Sequence, residues 1–597
     1  MHQDWRIYAK NADFKALSEK YGIDPVVARV IRNRDVVTES DFENYIYGTL
    51  ESTYAPERMM DMELGVDIIM SSIEDGENIR VVGDYDVDGV MSSYILYDGL
   101  KRAGANVSVD IPHRILDGYG INERIIEKAY NDGIHTIITC DNGIAAVNAV
   151  AKAVELGLTV VITDHHEPQE ILPDADAIID PHQSGDTYPY KDICGATVAY
   201  KFIKLLYETM GLEIGRDEYI EEVALATVCD VMSLLDENRT FVREGIRCLE
   251  KTENTGIKAL LEATGLKGKK LSSYSLGFVI GPCINAAGRL GSALDALALL
   301  TEKDEKTAFD MAVKIKELND SRKSMTEEGE KKAISILDNL IREKAVLDKS
   351  DISERDRDKW MDDVIIIYVS GLHESLAGIV AGRLKERFYR PTIVFTDTDK
   401  DEAVIKGSGR SIEAYNMFEK INAHKDMLVK FGGHPMAAGL TIKKDMLDEF
   451  RKVLNAESGL SEQDKVPRLM IDVPMPMSYV TMNLAEQLAT LEPFGKGNEY
   501  PLFAEKDMEI LGYQIYGQNK NVMRLKLRSV KGRISEVIYF RPDEFEKNIN
   551  EWFTDEECDK MSRGIATGCK LAIAYEVGIN EYNGARNVQL LMKAYEP

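Results

Sequence analysis

The sequence predicts a multidomain α/β protein: a parallel-sheet domain, a helical connector, a second α/β unit and a C-terminal β-barrel. Three observations carry this prediction. From residue 79 short β-rich apolar runs alternate with helical stretches, which is the pattern of a doubly wound parallel sheet. A second strand–helix series opens at residue 364, after a long helical region. The last hundred residues alternate polar and apolar in strand register, as in MRLKLR (523–528).

The elements follow in order. With 597 residues the chain exceeds one compact core, and about 100–200 residues per domain suggests several units. Residues 1–60 read as a helical lead-in, with LSEKYGIDPVVARVIRNR as a helix–turn–helix-like stretch. Strands are expected at IRVV (79–82), VSVDI (107–111), TIITC (136–140), TVVIT (159–163) and AIID (177–180). Between them lie SSYILYDGLKRAG and AAVNAVAKAVELG, closed by Gly104 and Gly157, which suit helix C-termini. Helices then run to about residue 350, and the polar segment 348–363 reads as a boundary. The second α/β unit includes VIIIYV (364–369) and PTIVFT (391–396), and NAESGLSEQDKVPR (455–468) marks the next junction. The expected divisions are 1–60, 61–300, 301–350, 351–462 and 463–597.

No apolar run approaches the ~18 residues needed to span a bilayer, and the N-terminus lacks a signal-peptide core. Seven scattered cysteines without a CxxC imply neither a disulfide framework nor a thiolate zinc site. A reduced, cytoplasmic protein is expected. The charge balance of 73 basic against 101 acidic residues, −28, argues against a generally basic nucleic-acid binder. Net charge does not describe a local groove, however, and metal-binding acids add negative charge that cations neutralise.

The acids fall at strand ends. IRVV runs into GDYDVDG, TIITC into Asp141-Asn142-Gly143, and TVVIT into Asp164-His165-His166. Open parallel sheets bind ligands at the carboxyl ends of their strands, so three strands deliver carboxylates and imidazoles to one edge. Asp230 lies in the apolar stretch VALATVCDVMSLL (223–235), read as a helix, where a lone carboxylate is costly unless it is paired or on a metal. An oxygen-rich set with an imidazole suits manganese or magnesium. GDYDVDG imitates the opening of a calcium-binding EF-hand loop, but the required glutamate position is Ile95 and a strand precedes the motif. A single Asp after a strand is ordinarily a helix cap; all of them together, with paired histidines, are not.

The ordered set GDYDVDG, CDNG, DHH and TVCD resembles the DHH phosphoesterase superfamily. That superfamily includes family II pyrophosphatases, oligoribonucleases, cyclic-dinucleotide phosphodiesterases and the RecJ exonucleases. The resemblance implies two divalent cations: Asp86 and Asp88 bind one each, Asp141 bridges them, and His165 and Asp230 complete the second site. Asp84 is then a further ligand or an outer base, Asp164 orients the His165 ring, and His166 faces the phosphate. Two such cations activate water and offset phosphoryl charge for in-line attack.

Later motifs resemble the RecJ branch. CGATVAYK (194–201) and INAAGRLGSA (284–293) follow its catalytic core, with Arg289 as a forked phosphate donor beside a tight Gly288–Gly291 turn. The stretch 372–394, GSGRS (407–411) and FGGHPMAAGL (431–440) resemble the DHH-associated domain. They make His373, Arg383, Ser408, Arg410 and His434 candidate substrate contacts. Leu372 stands where this family commonly has tryptophan, so His373 is carried over on the histidine alone. LEPFGKGNEYPLF (491–503) resembles the approach to the family's OB-fold domain, and 512–533 then holds six basic residues and no acid. In strand register Arg524, Lys526 and Arg528 share a face, with Tyr513 and Tyr516 nearby as stacking groups.

The expected architecture is thus a DHH catalytic domain, a helical connector, a DHH-associated domain and an OB-fold barrel. The likeness implies 5′-to-3′ degradation of single-stranded DNA to mononucleotides in recombination and repair. A single-strand-binding protein and a helicase are candidate partners, no membrane is involved, and a monomer is expected. Two other readings compete. An oligoribonuclease or cyclic-dinucleotide phosphodiesterase predicts a shorter chain without the barrel. A non-catalytic replication factor on the same scaffold predicts substituted ligands, yet every expected ligand is present.

Overall fold

The computed structural model describes residues 3–347, 357–398, 402–582 and 584–597. Its first sheet is five-stranded and wholly parallel, in the order β3-β2-β4-β5-β6. The strands are β2 (Asn78–Val82), β3 (Asn106–Asp110), β4 (Thr136–Cys140), β5 (Thr159–Thr163) and β6 (Ala177–Ile179). β4 is buried along its whole length, which explains its unbroken apolar and threonine sequence. Helices α4 (Met62–Glu74), α5 (Val87–Arg102) and α8 (Gly195–Met210) bury one face of the sheet; α6 (Glu123–Asn131) and α7 (Val147–Glu155) bury the other. Then come α9 (Ile220–Cys229), α10 (Asp236–Leu249) and α11 (Thr255–Ala263).

The predicted connector is a single helix, Glu305–Leu347. Its first half gives Ala308, Ala312 and Ile315 to the first core, and its second half gives Ala333, Leu337 and Ile341 to the next. The helix therefore sets where the second unit sits relative to the first. Of the polar boundary 348–363, residues 348–356 lie outside the described residues. The second sheet has the order β10-β11-β9-β8-β7, parallel only between β7 (Ile365–Tyr368) and β8 (Thr392–Asp397). Antiparallel β9 (Val404–Arg410), β11 (Ala437–Lys443) and β10 (Leu428–His434) complete it.

The C-terminal sheet runs β13 (Val473–Pro474), β14 (Phe503–Tyr516), β15 (Val522–Arg528), β16 (Ile534–Tyr539), β18 (Ala585–Glu596), β17 (Lys570–Tyr582). A further β14–β17 pairing closes it into a barrel. The lead-in differs from expectation. It is no freestanding helical unit: β1 (Asp4–Ile7) pairs in parallel with β12 (Arg468–Ile471). Helices α2 (Pro25–Asn33) and α3 (Glu39–Tyr47) put Val27, Ile31, Phe42 and Tyr45 into the barrel-side core. Arg34 and Asp472, both buried, bond at 2.7 and 3.1 Å across this joint.

Candidate metal centre and substrate cleft

The strand ends converge as the alternation requires. After β2 the chain turns through Asp84 and Tyr85 to Asp86, which caps α5 by accepting from the Gly89 N–H at 3.1 Å. Asp88, in the first turn of α5, accepts from the Gly195 and Ala196 N–H groups at 2.7 Å each. Its carboxylate thus meets the positive N-terminus of α8. Gly195 is required there, because a Cβ would lie 2.8 Å from the Asp141 side chain. Asp141 leaves β4 in the left-handed region, φ 58°.

Asp84, Asp86 and Asp141 bring one ligand atom each within 4.8 Å of one another; so do Asp88, His165 and Asp230, and so do Asp141, His165 and His166. His165 Nε2 lies 3.0 Å from Asp141, 3.4 Å from Asp88 and 3.7 Å from Asp230. Asp141 therefore stands between an all-carboxylate group and one containing an imidazole. Burial, then the neighbouring carboxylates, pushes Asp84 and Asp141 well above the usual range and Asp230 up to about 8. Asp88 is also raised, chiefly by burial. Burial lowers His165 and favours its neutral form, the form that ligates. Among the described residues no Lys or Arg forms an ion pair with these acids. Crowded carboxylates with no ion-paired Lys or Arg, and a neutral imidazole among them, fit divalent cations.

Several expectations need correction. Asp230 is not inside a helix: α9 ends at Cys229, Asp230 is its C-cap, and Val231 turns the chain at φ 57°. This turn aims the carboxylate at the strand ends. Asp164 does not hold the His165 ring; it accepts from the His165 backbone N–H at 2.8 Å and pairs with His166 Nδ1 at 2.8 Å. Burial would raise Asp164, but His166 outweighs it and holds it below the ordinary range. Burial opposes charge on His166, yet Asp164 carries it up to about 9. Gly288 and Gly291 form no tight turn, since Gly288 is helical within Gly281–Leu290 and Gly291 caps that helix.

Arg289 donates to the Ser375 carbonyl at 2.7 Å, joining the catalytic and second α/β units. Burial, then Arg114 and Arg322, pushes it down to about 9, and Arg410 adds to this. Burial and Arg114 lower Arg410 as well. Guanidiniums that depress one another in this way would be relieved by an anion between them. Arg410 reaches Ser408 Oγ at 3.4 Å, and His373 Nδ1 pairs with Ser375 Oγ at 2.8 Å. Three other candidates are placed differently. Arg383 is held by Glu330 at 2.8 Å, and His434 is exposed at the end of edge strand β10. Tyr513 turns inward, edge-on to Phe545, with its hydroxyl on Glu546 at 3.1 Å.

On β15, Arg524 and Lys526 are exposed while Met523, Leu525 and Leu527 are buried, as the register requires. Arg524 lies over the exposed Tyr516 ring at 5.4 Å. Arg528 is taken by Glu509 at 2.8 Å, so its charge is already matched.

Sequence reasoning missed Arg114, Tyr119 and Lys496. Arg114 and Tyr119 lie in the loop after β3, which is also a carboxyl end of the sheet, so its position was the available signal. Tyr119 donates to the Asp141 carbonyl at 2.9 Å and meets the His166 ring at 3.1 Å. Lys496, from the FGKGN loop, is near enough to Asp230 to oppose its raised pKa. Nothing in the local sequence signals that approach.

Residues 78–228 match the DHH family N-terminal domain, 362–458 the DHHA1 domain and 471–594 the RecJ OB domain. The single-stranded-DNA-specific exonuclease RecJ of Bacillus subtilis is 32% identical over 592 residues, covering 99% of this chain and 70% of that protein. The chain belongs to the RecJ family. Its Haemophilus influenzae member is 30% identical, with 96% of each chain covered. The crystal structure of Thermus thermophilus RecJ in complex with Mn2+ shares the fold across the whole chain, with TM-score 0.80 at 24% identity and 79% of that chain covered.

Proposed function

We propose that this RecJ family member is a metal-dependent exonuclease that degrades single-stranded DNA from its 5′ end to mononucleotides. The carrying observation is that Asp141 stands in two ligand groups at once, beside a cluster of arginines. Asp84, Asp86 and Asp141 would hold one divalent cation, and Asp88, Asp141, His165 and Asp230 a second, either manganese or magnesium. Cations bound there supply an activated water and neutralise phosphoryl charge. The protein's own groups do the rest. Arg289 and Arg410, with Ser408, orient a substrate phosphate; His166, fixed by Asp164 and Tyr119, presents its ring at the cleavable bond. Arg524, Lys526 and Tyr516 grip the strand on the barrel.

The barrel argues against an oligoribonuclease or cyclic-dinucleotide phosphodiesterase, and the complete ligand set argues against a non-catalytic replication factor. The protein acts in the cytoplasm as a monomer, working with a single-strand-binding protein and a helicase. Among the described residues no helix is long and apolar enough to cross a membrane. The test is incubation of 5′- and 3′-labelled single- and double-stranded oligonucleotides with the protein and manganese, beside Asp141→Ala. Mononucleotide release first from the 5′ end of single strands is expected. Release first from the 3′ end, or activity surviving the substitution, would overturn the reading.

A further inference from the structure

The helix that carries Arg289 begins well before Gly281. Ser273–Ser275 opens it, a wide π turn spans Leu276–Ile280, and the regular helix Gly281–Leu290 follows. Single π turns inside helices are found frequently at functional sites. Around this one Tyr274 and Phe278 stack on each other, with centroids 5.0 Å apart and ring planes 20° apart. They nevertheless remain 66% and 67% exposed. Aromatic rings ordinarily bury their large apolar area, whereas this stacked pair leaves two-thirds of it to solvent.

The helix lies along the metal centre. Near its C-terminal end, a Cβ on Gly288 would meet the carbonyl of Tyr85, between Asp84 and Asp86, at 2.3 Å. Toward the aromatic pair, a Cβ on Gly281 would meet Cys229 Sγ, beside Asp230, at 2.2 Å. The π turn packs there too: Cys229 Sγ donates to the Leu276 carbonyl at 3.6 Å, and a Cβ on Gly277 would lie 3.2 Å from Val228. The segments bearing Asp84, Asp86 and Asp230 thus lie against 281–288, with Arg289 at one end and the aromatic pair beyond the other. At 1.5 Å per residue, Phe278 and Arg289 stand about 16 Å apart along the axis. Exposed Lys496 belongs to the aromatic side: the Phe494 carbonyl accepts from Ser273 Oγ, and Lys496 approaches Asp230.

We propose that Tyr274 and Phe278 form a stacking platform for the bases that follow the nucleotide being removed. The proposal rests on the exonuclease reading above. A 5′ phosphate oriented by Arg289, with the next bond at the metal centre, leaves the remaining strand on the far side of the ligands. That is where the pair stands. Aromatic rings beside a basic residue take successive bases whatever their sequence, since every base has a π face. A base held inside a rigid duplex cannot turn onto the rings, so the platform also favours single strands. Its alignment with the metal centre favours substrate over a partner protein as the occupant.

The test follows release of the first nucleotide, with manganese, from two 5′-labelled oligothymidylates. One strand is intact and the other lacks the bases of its second to fourth nucleotides. For the wild-type chain, removing those bases should raise KM about tenfold, as the loss of one stacked base would. A Tyr274→Ser, Phe278→Ser double variant should show about the same rise on the intact strand, move kcat less, and abolish the difference between the strands. Both side chains are exposed, so the changes spare the core, and Phe278→Trp should keep wild-type behaviour. An unchanged KM in the serine variant overturns the proposal and leaves a partner-protein surface in its place. So does a KM that rises while the strand difference persists, which would mark a structural effect. If the wild-type chain releases nothing from the 5′ end, the exonuclease reading has failed and the platform falls with it; 5′ release with an unchanged KM sinks the platform alone.

Discussion

His166 Nδ1 lies 2.8 Å from Asp164 Oδ1, whereas the adjoining His165 turns its Nε2 to Asp141 at 3.0 Å. Two consecutive histidines thus divide the work, one ring set among the candidate ligands and the other held by a carboxylate outside them. Replacing Asp164 should therefore disturb His166 before it disturbs metal binding. Asp164→Asn is expected to cost about 10–100-fold in turnover while Mn2+ affinity, read by calorimetry, changes far less than in His165→Ala. Equal metal loss in the two variants would show that Asp164 acts through the ligand instead.

Asp141 is the carboxylate common to two ligand groups. Asp141→Ala should lower the stoichiometry of Mn2+ binding and abolish turnover, and chelation of the wild-type chain should do the same reversibly. A variant that keeps full stoichiometry would show that Asp141 is not shared between two cations.

The buried Arg34–Asp472 pair ties the N-terminal helices to the barrel. Removing either partner leaves an uncompensated charge, so Asp472→Ala should cost about 3–5 kcal/mol in denaturant unfolding. Replacing both by apolar residues should cost less. The measurement is a double-mutant cycle.

Asp363 pairs with Lys465 at 2.8 Å and accepts from Ser458 at 2.7 Å. Burial raises its pKa, but these partners outweigh burial and hold it below the usual value. A depressed folded-state pKa gives stability that is present above the unfolded value and lost as pH falls through the folded one. Asp363→Asn should therefore lower the unfolding free energy at pH 7, by no more than about 1 kcal/mol after solvent screening, and make no difference in strong acid. A difference that persists at low pH would contradict the sign.

On the barrel, Arg524→Ala and Lys526→Ala should each reduce the salt dependence of single-strand binding by about 0.7 in log–log slope. Arg528→Ala should leave that slope nearly unchanged, because Glu509 already matches its charge. Titrations at several salt concentrations distinguish the three.

The sequence by itself determined the order of domains, the strands that carry Asp86, Asp88, Asp141 and His165, and the outward face of β15. These are set locally, by periodicity and by acids placed directly after apolar runs, so they need no knowledge of distant contacts. The tertiary structure alone decided three things. It ended α9 at Cys229, just before Asp230, because the left-handed turn at Val231 is not announced by a glycine. It gave Asp164 to His166 rather than to His165, a choice between rings that sequence adjacency leaves open. And it joined the lead-in to the barrel and gathered Arg114, Arg289 and Arg410 at one joint, since residues far apart in the chain meet only when whole domains pack.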